Sequence, residues 1–482
     1  MNTKKNDLYG QIIKYTGIFG SIQGLSILTG VIRNKIMAVM LGTGGMGLMS
    51  LLYSVLSFVS QGTNLGLSFS GVRDIATCHE HGDNEGVRHC AAIIRTWSIV
   101  AALLGMAVCG SVSPFLDRVT FTWGDHTIHY MMLAPTVAVM AITTGETVIL
   151  KGIHSLKALA VVQLLTAVGA LLTTIPLIFL WGELAIVPML FFAALCSMVA
   201  TIWFSFRRVP FEIRRWRLLL REGTPMVKVG LAFVGAALMG TGTEVILRSY
   251  LNTAGNLDIV GLYNAGYMLS VTYAGMIFTA MESEYYPRLA AVNDDIDKVN
   301  DTVNSQAEVT LLITAPMMCV FIIALPIIVP LLFSSKFVAA VPMAQATALT
   351  MMCKSVCLPV SYTMLAKGDS RTYLILEGLS YIFTITGVTV GFSLGGITAT
   401  GIGLAIAYAI ELIVNTIILH LKYGLVLRRN LLTIIGQLFP LVILTYLSIY
   451  APSATARWSV CLVASATCAA ISLYHFRVNL RH

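Results

Sequence analysis

The chain is a succession of long apolar runs, each close to 20 residues, separated by short polar turns. The runs fall at about 11–32, 47–69, 91–112, 129–150, 158–181, 184–205, 225–248, 262–284, 307–333, 340–363, 373–394, 397–420, 431–449 and 458–476. A run of this length, wound as an α-helix, crosses a hydrocarbon core of about 30 Å. The runs are continuous rather than alternating in polarity, and a backbone in lipid has to satisfy its own hydrogen bonds. That favours spanning helices over a closed β-barrel. The pattern thus predicts an all-α integral membrane protein with about 14 transmembrane helices. Two of the divisions are narrow: 158–205 is interrupted only around Trp181-Gly182-Glu183, and 373–420 only at Gly395-Gly396. The expected count lies between 12 and 14.

Composition agrees with a bilayer. Hydrophobic residues make up 57% of the 482 and charged residues only 11%, with a mean hydropathy of +0.81. Soluble domains carry about 25% charged residues, so a water-soluble fold of this length lacks the polar surface it needs. The first run follows Lys4, Lys5 and Lys14, as the core of a secretory signal does. It has no small-residue cleavage site and a second span follows at once, so it reads as mature structure.

The charges in the connections give an orientation. Alternate connections and both tails hold about 23 Lys and Arg, whereas the opposite side holds about 6: Arg33, Lys35, Arg118, Arg248, Lys336 and Arg457. Basic residues concentrate on the cytoplasmic side, which puts both termini in the cytoplasm. An even number of spans agrees. The net charge of +8 is accounted for by these many short loops and calls for no nucleic acid. The longest basic run, Arg207 to Arg221, includes Arg208, Arg214, Arg215 and Arg217. It reads as a linker held against anionic headgroups, and it divides twelve of the helices into six and six.

Those sixes repeat. Arg33, Gly47-Leu48, Tyr53, Arg73 and Lys151-Gly152 recur as Arg248, Gly261-Leu262, Tyr267, Arg288 and Lys367-Gly368. The spacing is 214–216 residues at every landmark. A shift of six helices, an even number, predicts two lobes of the same membrane orientation in a parallel pseudo-twofold repeat. The expected organisation is an N-terminal six-helix lobe at 1–206, a basic cytoplasmic linker at 207–224, a C-terminal six-helix lobe at 225–422, and two additional transmembrane helices at 423–482.

Several short patterns resemble chemistry without its context. Gly42-Thr43-Gly44-Gly45-Met46-Gly47 spells G-x-G-x-x-G, but it joins two apolar runs, where a dinucleotide site needs a strand before it. Cys78, His79, His81, His89 and Cys90 match no structural zinc spacing. Asp294-Asp295-Ile296-Asp297 has no second acidic motif to oppose it. No metal, cofactor or enzymatic activity is expected, and the outer loops, of which 113–128 is the longest, are small for an active site. Ionisable residues inside spans are the better signal, since each is costly in lipid unless it faces a cavity or a partner. Lys354 and Glu411 fall deep in their spans. Glu146, Glu282, Glu284, Glu308 and Glu377 lie toward the cytoplasmic ends, and Arg95 lies near enough to the inner surface to snorkel. Glu244 and Arg248, four apart, are placed to pair.

The order and spacing of several motifs resemble a known family. They include Arg33-Asn34-Lys35, Leu41-Gly42, Gly47-Leu48, Gly66-Leu67 and Arg73-Asp74-Ile75-Ala76 in the first half, and Val260 to Ala265 with Tyr286-Pro287-Arg288-Leu289 in the second. Over most of its length the chain resembles bacterial polysaccharide transporters of the Wzx type, a branch of the multidrug/oligosaccharidyl-lipid/polysaccharide exporter superfamily. The resemblance implies a two-lobe flippase of the bacterial cytoplasmic (inner) membrane. It would move an undecaprenyl-diphosphate-linked oligosaccharide from the inner to the outer leaflet by alternating access, driven by an ion gradient (H+ or Na+) or the membrane potential, for O-antigen, capsule or exopolysaccharide assembly. Its implied partners are that lipid-linked substrate, membrane lipids, a polysaccharide polymerase and a chain-length regulator, around a monomer. A diphosphate calls for cations, and Lys354, Arg33, Arg248 and Arg95 are the candidates for substrate binding. Glu146, Glu244 and Glu411 are the candidates for ion coupling. Three rivals stay open. An organic-cation exporter should carry acid in spans one to three, which have none internally. A lipid II flippase should carry arginines deep in helix one, which has none between Lys14 and Arg33. A membrane glycan polymerase or ligase is opposed by the repeat and the small outer loops.

Overall fold

Every regular element among the described residues is a helix. The computed structural model describes residues 2–120, 127–212 and 215–479. Side chains are described from residue 22 onward, except those of 23, 116, 118–120, 127, 232, 277, 279–283, 454, 456 and 478–479. Of the residues named above, the side chains of Lys4, Lys5, Lys14, Arg118, Arg214 and Glu282 lie outside the described residues, as does part of the loop at 113–128. The chain forms two compact units, Met1–Asp258 and Ile259–His482.

The first unit contains α1 (Asn2–Thr63), α2 (Leu67–Glu80), α3 (Asn84–Thr120), α4 (Thr127–Gly152), α5 (Leu156–Trp181), α6 (Ile186–Arg208) and α7 (Trp216–Ala254). The first of these is two arms. Gly42 leaves helical geometry at φ 68° and ψ −164°, a conformation open to a residue without Cβ. Past it the chain runs antiparallel to α7 and the residues that follow it, with Gly44 against Asp258, Phe58 against Gly242 and Gly62 against Leu238. The run then breaks at Asn64–Gly66, where Leu65 and Gly66 both have positive φ. Beyond the break α2 continues alongside α4, placing Gly71 against Val148 and Ile75 against Gly152. Gly66 lies on the backbone of Gly230, beside a 52° bend in α7 between Leu231 and Phe233. A methyl on Gly66 would overlap that backbone, and Phe69 stacks on Phe233 at 4.8 Å next to the joint.

The second unit opens in α8 (Leu257–Tyr267), which passes through a π-helical turn at Met268–Tyr273 into α9 (Ala274–Ala290). There follow α10 (Ile296–Leu332), α11 (Val341–Ala366), α12 (Ser370–Tyr423), α13 (Arg429–Leu447) and α14 (Ala454–Asn479). Non-helical geometry at Gly395 and Gly396 divides α12. Its arms fold back on each other, since Gly387 meets the backbone of Gly403 and Gly391 that of Ala399. Small residues at four-residue spacing allow this approach in lipid. At the base of the hairpin, Asp369 caps the first arm through Thr372 N at 3.1 Å and also binds Lys422 and Tyr423 of the second. These bonds hold its carboxyl well below the usual carboxylate range. The two last helices pack on α10 through buried residues such as Met318, Ile322, Leu438, Val442 and Cys468.

Nine helical segments among the described residues are long and apolar enough to cross a membrane. Three of them hold a reversal: Gly24–Thr63 at Gly42, Leu156–Arg208 at Gly182, and Ser370–Tyr423 at Gly395-Gly396. The last two, at 53 and 54 residues, would be about 80 Å long if straight, far more than one crossing needs. By length and composition the nine therefore supply twelve crossings among the described residues, bent α7 is a further candidate, and the α8–α9 run stands where the sequence expects the eighth span.

The repeat is visible in the element boundaries. Gly152 and Ala366 end α4 and α11, His154 and Gly368 follow with positive φ, and Leu156 and Ser370 begin α5 and α12. The reversals at Gly182 and Gly396 form a further pair. Each pair is 214 residues apart. Compactness divides the chain elsewhere: α7 opens the second repeat but belongs to the first unit, because the stretch 230–258, most of it α7, lies along 44–66.

Candidate functional site

In the second unit, three polar stripes meet. On α11, Lys354, Cys357 and Ser361 follow one another at intervals of three and four, the spacing of one helical face. The second arm of α12 carries Tyr408, Glu411 and Asn415 at the same intervals, and the first arm carries Glu377, Ser380 and Tyr381. The stripes are joined by side-chain bonds. Asn415 donates to Ser361 Oγ at 3.1 Å and approaches Cys357 Sγ at 3.4 Å. Cys357 Sγ lies 3.7 Å from Glu411 Oε1, Ser380 bonds Glu411, and Tyr381 donates to Glu377 at 2.8 Å. The Lys354 ammonium is 5.7 Å from the ring centre of Tyr408, and its charge acts on Glu411. Tyr263 and Tyr267 on α8, stacked at 5.8 Å, border Tyr408.

This lane offers one ammonium, two carboxylates and several hydroxyls within a helical core. A cation there can complement an anionic headgroup. A carboxylate beside it can take up a proton in place of that pairing. The sequence singled out Lys354 and Glu411 but missed Cys357, Ser361, Tyr408 and Asn415. Their signal was the matched three-and-four spacing on two helices, which gains meaning only once α11 and α12 are known to be neighbours.

The first unit holds two further pairs. Arg95 is buried rather than snorkelling. It grips Glu146 in bidentate fashion, Nε to Oε1 at 2.9 Å and Nη2 to Oε2 at 3.1 Å. It also donates to the carbonyls of Val209 and Pro210 at 2.9 and 3.1 Å and lies over the Phe206 ring at 4.4 Å. Ser205 completes the group by donating to Glu146 Oε2 at 2.6 Å. The arrangement fastens α3 and α4 to the end of α6. Arg248, mostly buried, pairs with half-exposed Glu244 at 2.8 Å, as their spacing implies. Arg33 is half-buried on the first arm of α1. Of the seven candidate residues, Arg95 is thus paired with Glu146 and Arg248 with Glu244 in the first unit, where Arg33 also stands, and Lys354 acts on Glu411 in the second. The glycine motif at 42–47 forms the reversal in α1, and Asp295 caps α10 through Asp297 N and Lys298 N. Among the described residues no cluster of His, Cys, Asp and Glu is arranged to hold a metal ion.

Known proteins share this fold. A structure described as the inward closed conformation of the lipid II flippase MurJ aligns with 96% of this chain and 100% of its own, at TM-score 0.71 and 12% identity. The inward-facing conformation of a multidrug resistance MATE family transporter of the MOP superfamily covers 83% of this chain and 94% of its own, at TM-score 0.69 and 14% identity. An outward-facing MATE conformation covers 84% and 93%, at TM-score 0.59 and 15% identity. At such identities the likeness is one of fold. No curated protein sequence matches the chain. A family model described as "Polysaccharide biosynthesis protein" matches residues 36–342, well over half of the chain, and the protein belongs to that family.

Proposed function

We propose that this protein is a flippase that carries an undecaprenyl-diphosphate-linked oligosaccharide from the inner to the outer leaflet by alternating access. The observation that carries the reading is the lane around Lys354 and Glu411, a cation and an acid in the helical core of a polysaccharide-biosynthesis protein. A diphosphate headgroup needs cationic partners in a wet cavity, while a polyprenyl tail stays in lipid. In this reading Lys354 leads the substrate field, with Arg33 and Arg248 contributing. Arg95 directs its donors to protein acceptors, so its part is to hold the first lobe together. Glu411 is the leading coupling group for H+ or Na+, ahead of Glu244 and Glu146. The repeat lobes 1–206 and 225–422 are the moving bodies, both termini are cytoplasmic, and a polymerase and a chain-length regulator act after it.

The test is deletion of the gene in a strain with no second flippase. Lipid-linked repeat units should accumulate on the cytoplasmic face and surface glycan should be lost, with recovery on re-expression. Normal surface glycan in the deletion strain would sink the proposal. The fold likeness to a multidrug transporter supports a second reading, cation export. Ethidium efflux dependent on this protein, with glycan unaffected, would select it.

A further inference from the structure

Beside the Arg95 clamp lies a pocket of about 470 Å³, bounded by α3, by Phe211 and Glu212 of the linker, and by the first turns of α7. That size falls within the usual range for small-molecule sites, about 300–1,000 Å³. Its walls are mostly apolar, with Arg95, Thr96 and Glu212 as the polar members. Ile99 and Leu103 on α3 and Trp216 on α7 line it, and all three are exposed by half or more. Any hollow of this kind in a membrane face fills with lipid. What selects one lipid is the charge beside it.

The helix that supplies the Trp216 wall is basic on its other faces. Helix α7 begins at Trp216, several residues before the apolar run that starts near 225. Its first two turns are two-sided: Trp216, Leu219 and Leu220 face the pocket, while Arg217 and Arg221 are exposed on other faces. Arg215 precedes them and is likewise exposed. The acid on the rim, Glu212, is met by Arg88 at 3.5 Å. Aromatic rings accompany the arginines, with Arg207 over Trp203 at 4.3 Å and Arg217 near Trp216 at 5.3 Å. Tryptophan and arginine together mark a helix end at headgroup depth. An apolar hollow of acyl-chain scale beside exposed arginines at that depth matches one molecule in both parts.

We infer that this pocket binds one anionic phospholipid, its acyl chain between α3 and the start of α7 and its phosphate among Arg215, Arg217 and Arg221. The site is distinct from the Lys354 lane and does not depend on what that lane carries. By the loop charges, the lipid belongs to the cytoplasmic leaflet. A lipid here would brace the linker against the Arg95–Glu146 clamp, since Phe211 and Arg95 are shared by both.

The experiment uses the purified full chain in mild detergent, titrated with phosphatidylglycerol or phosphatidylethanolamine and read by native mass spectrometry. Phosphatidylglycerol should bind the more tightly. Each of Arg215→Gln, Arg217→Gln and Arg221→Gln should weaken it by about five-fold, as expected for about 1 kcal/mol per basic residue near anionic headgroups. A pocket-filling Leu103→Trp, at a position already open to lipid, should also lower occupancy and leaves the arginines intact. Brominated phosphatidylglycerol should quench tryptophan fluorescence in the wild type and much less in Trp216→Phe. Equal binding of the two lipids would overturn the inference, as would binding unchanged in both kinds of variant. Displacement of phosphatidylglycerol by equimolar undecaprenyl phosphate would also overturn it and assign the pocket to the substrate's path.

Discussion

Replacing Arg95 by Met tests whether the Arg95–Glu146 pair is a structural clamp. Both side chains are nearly out of solvent, at 7% and 5% exposure. Removing the guanidinium leaves the Glu146 carboxylate buried with the Ser205 hydroxyl, and leaves the Val209 and Pro210 carbonyls without their donor. Breaking a buried pair from one side costs about 3–5 kcal/mol. At about 2–4 °C per kcal/mol for a domain of 150–250 residues, that is a fall of about 6–20 °C in apparent Tm. Glu146→Leu alone should do similar harm, since it strands the guanidinium. The double variant, Arg95→Met with Glu146→Leu, removes both charges and should be more stable than the two single losses added together. The assay is thermal unfolding of the detergent-solubilised protein, followed by size-exclusion fluorescence, beside glycan export in cells. Single variants that keep the wild-type Tm yet abolish export would refute the clamp and return Arg95 to the substrate site.

Other substitutions probe the rest of the fold. Lys354→Ala should lower export by about ten- to a hundred-fold, the loss of one charge-assisted contact, at unchanged protein level, with Lys354→Arg retaining part of it. Glu411→Gln should leave basal export measurable in vesicles and remove its response to an imposed ion gradient; an intact response would exclude Glu411 from coupling. Gly391→Val should push apart the arms of α12 and cost about 1–3 kcal/mol, read as a lower apparent Tm, whereas the same change at Gly110, which faces open space, should be nearly silent. Asp369→Asn should destabilise the protein at neutral pH. The bonds that depress the Asp369 carboxyl contribute above its unfolded value of about 3.9 and disappear as pH falls through the lower folded value. The gap between variant and wild type should therefore close only in strong acid.

Much of the fold is legible in the sequence because lipid imposes one rule on every span. The narrow divisions at Gly182 and Gly395-Gly396 are true reversals, since glycine reaches backbone conformations closed to other residues. The pairing of Glu244 with Arg248 is legible too, because it is local. Interruptions that depend on a neighbour are not. The run 47–69 breaks at Asn64–Gly66 where Gly230 presses on it, and nothing in the run itself announces the contact. Arg95 and Glu146 are 51 residues apart on different helices, so hydropathy assigns Arg95 to the interface while packing supplies a buried acid and two carbonyls. In the candidate lane, composition exposes the charged members, Lys354 and Glu411. The neutral Asn415, Ser361 and Cys357 are disguised as ordinary helix residues.

The glycine contact between the arms of α12 has a mechanical consequence. With Gly387 against Gly403 and Gly391 against Ala399, nothing larger than a methyl separates the arms there, so turning either one would bring backbone against backbone. The hairpin is closed at its glycine tip and tied at its base by Asp369, Lys422 and Tyr423, the build of a single lever. Glu377 rides on one arm and Glu411 on the other, so a displacement imposed on either carboxylate is delivered to both.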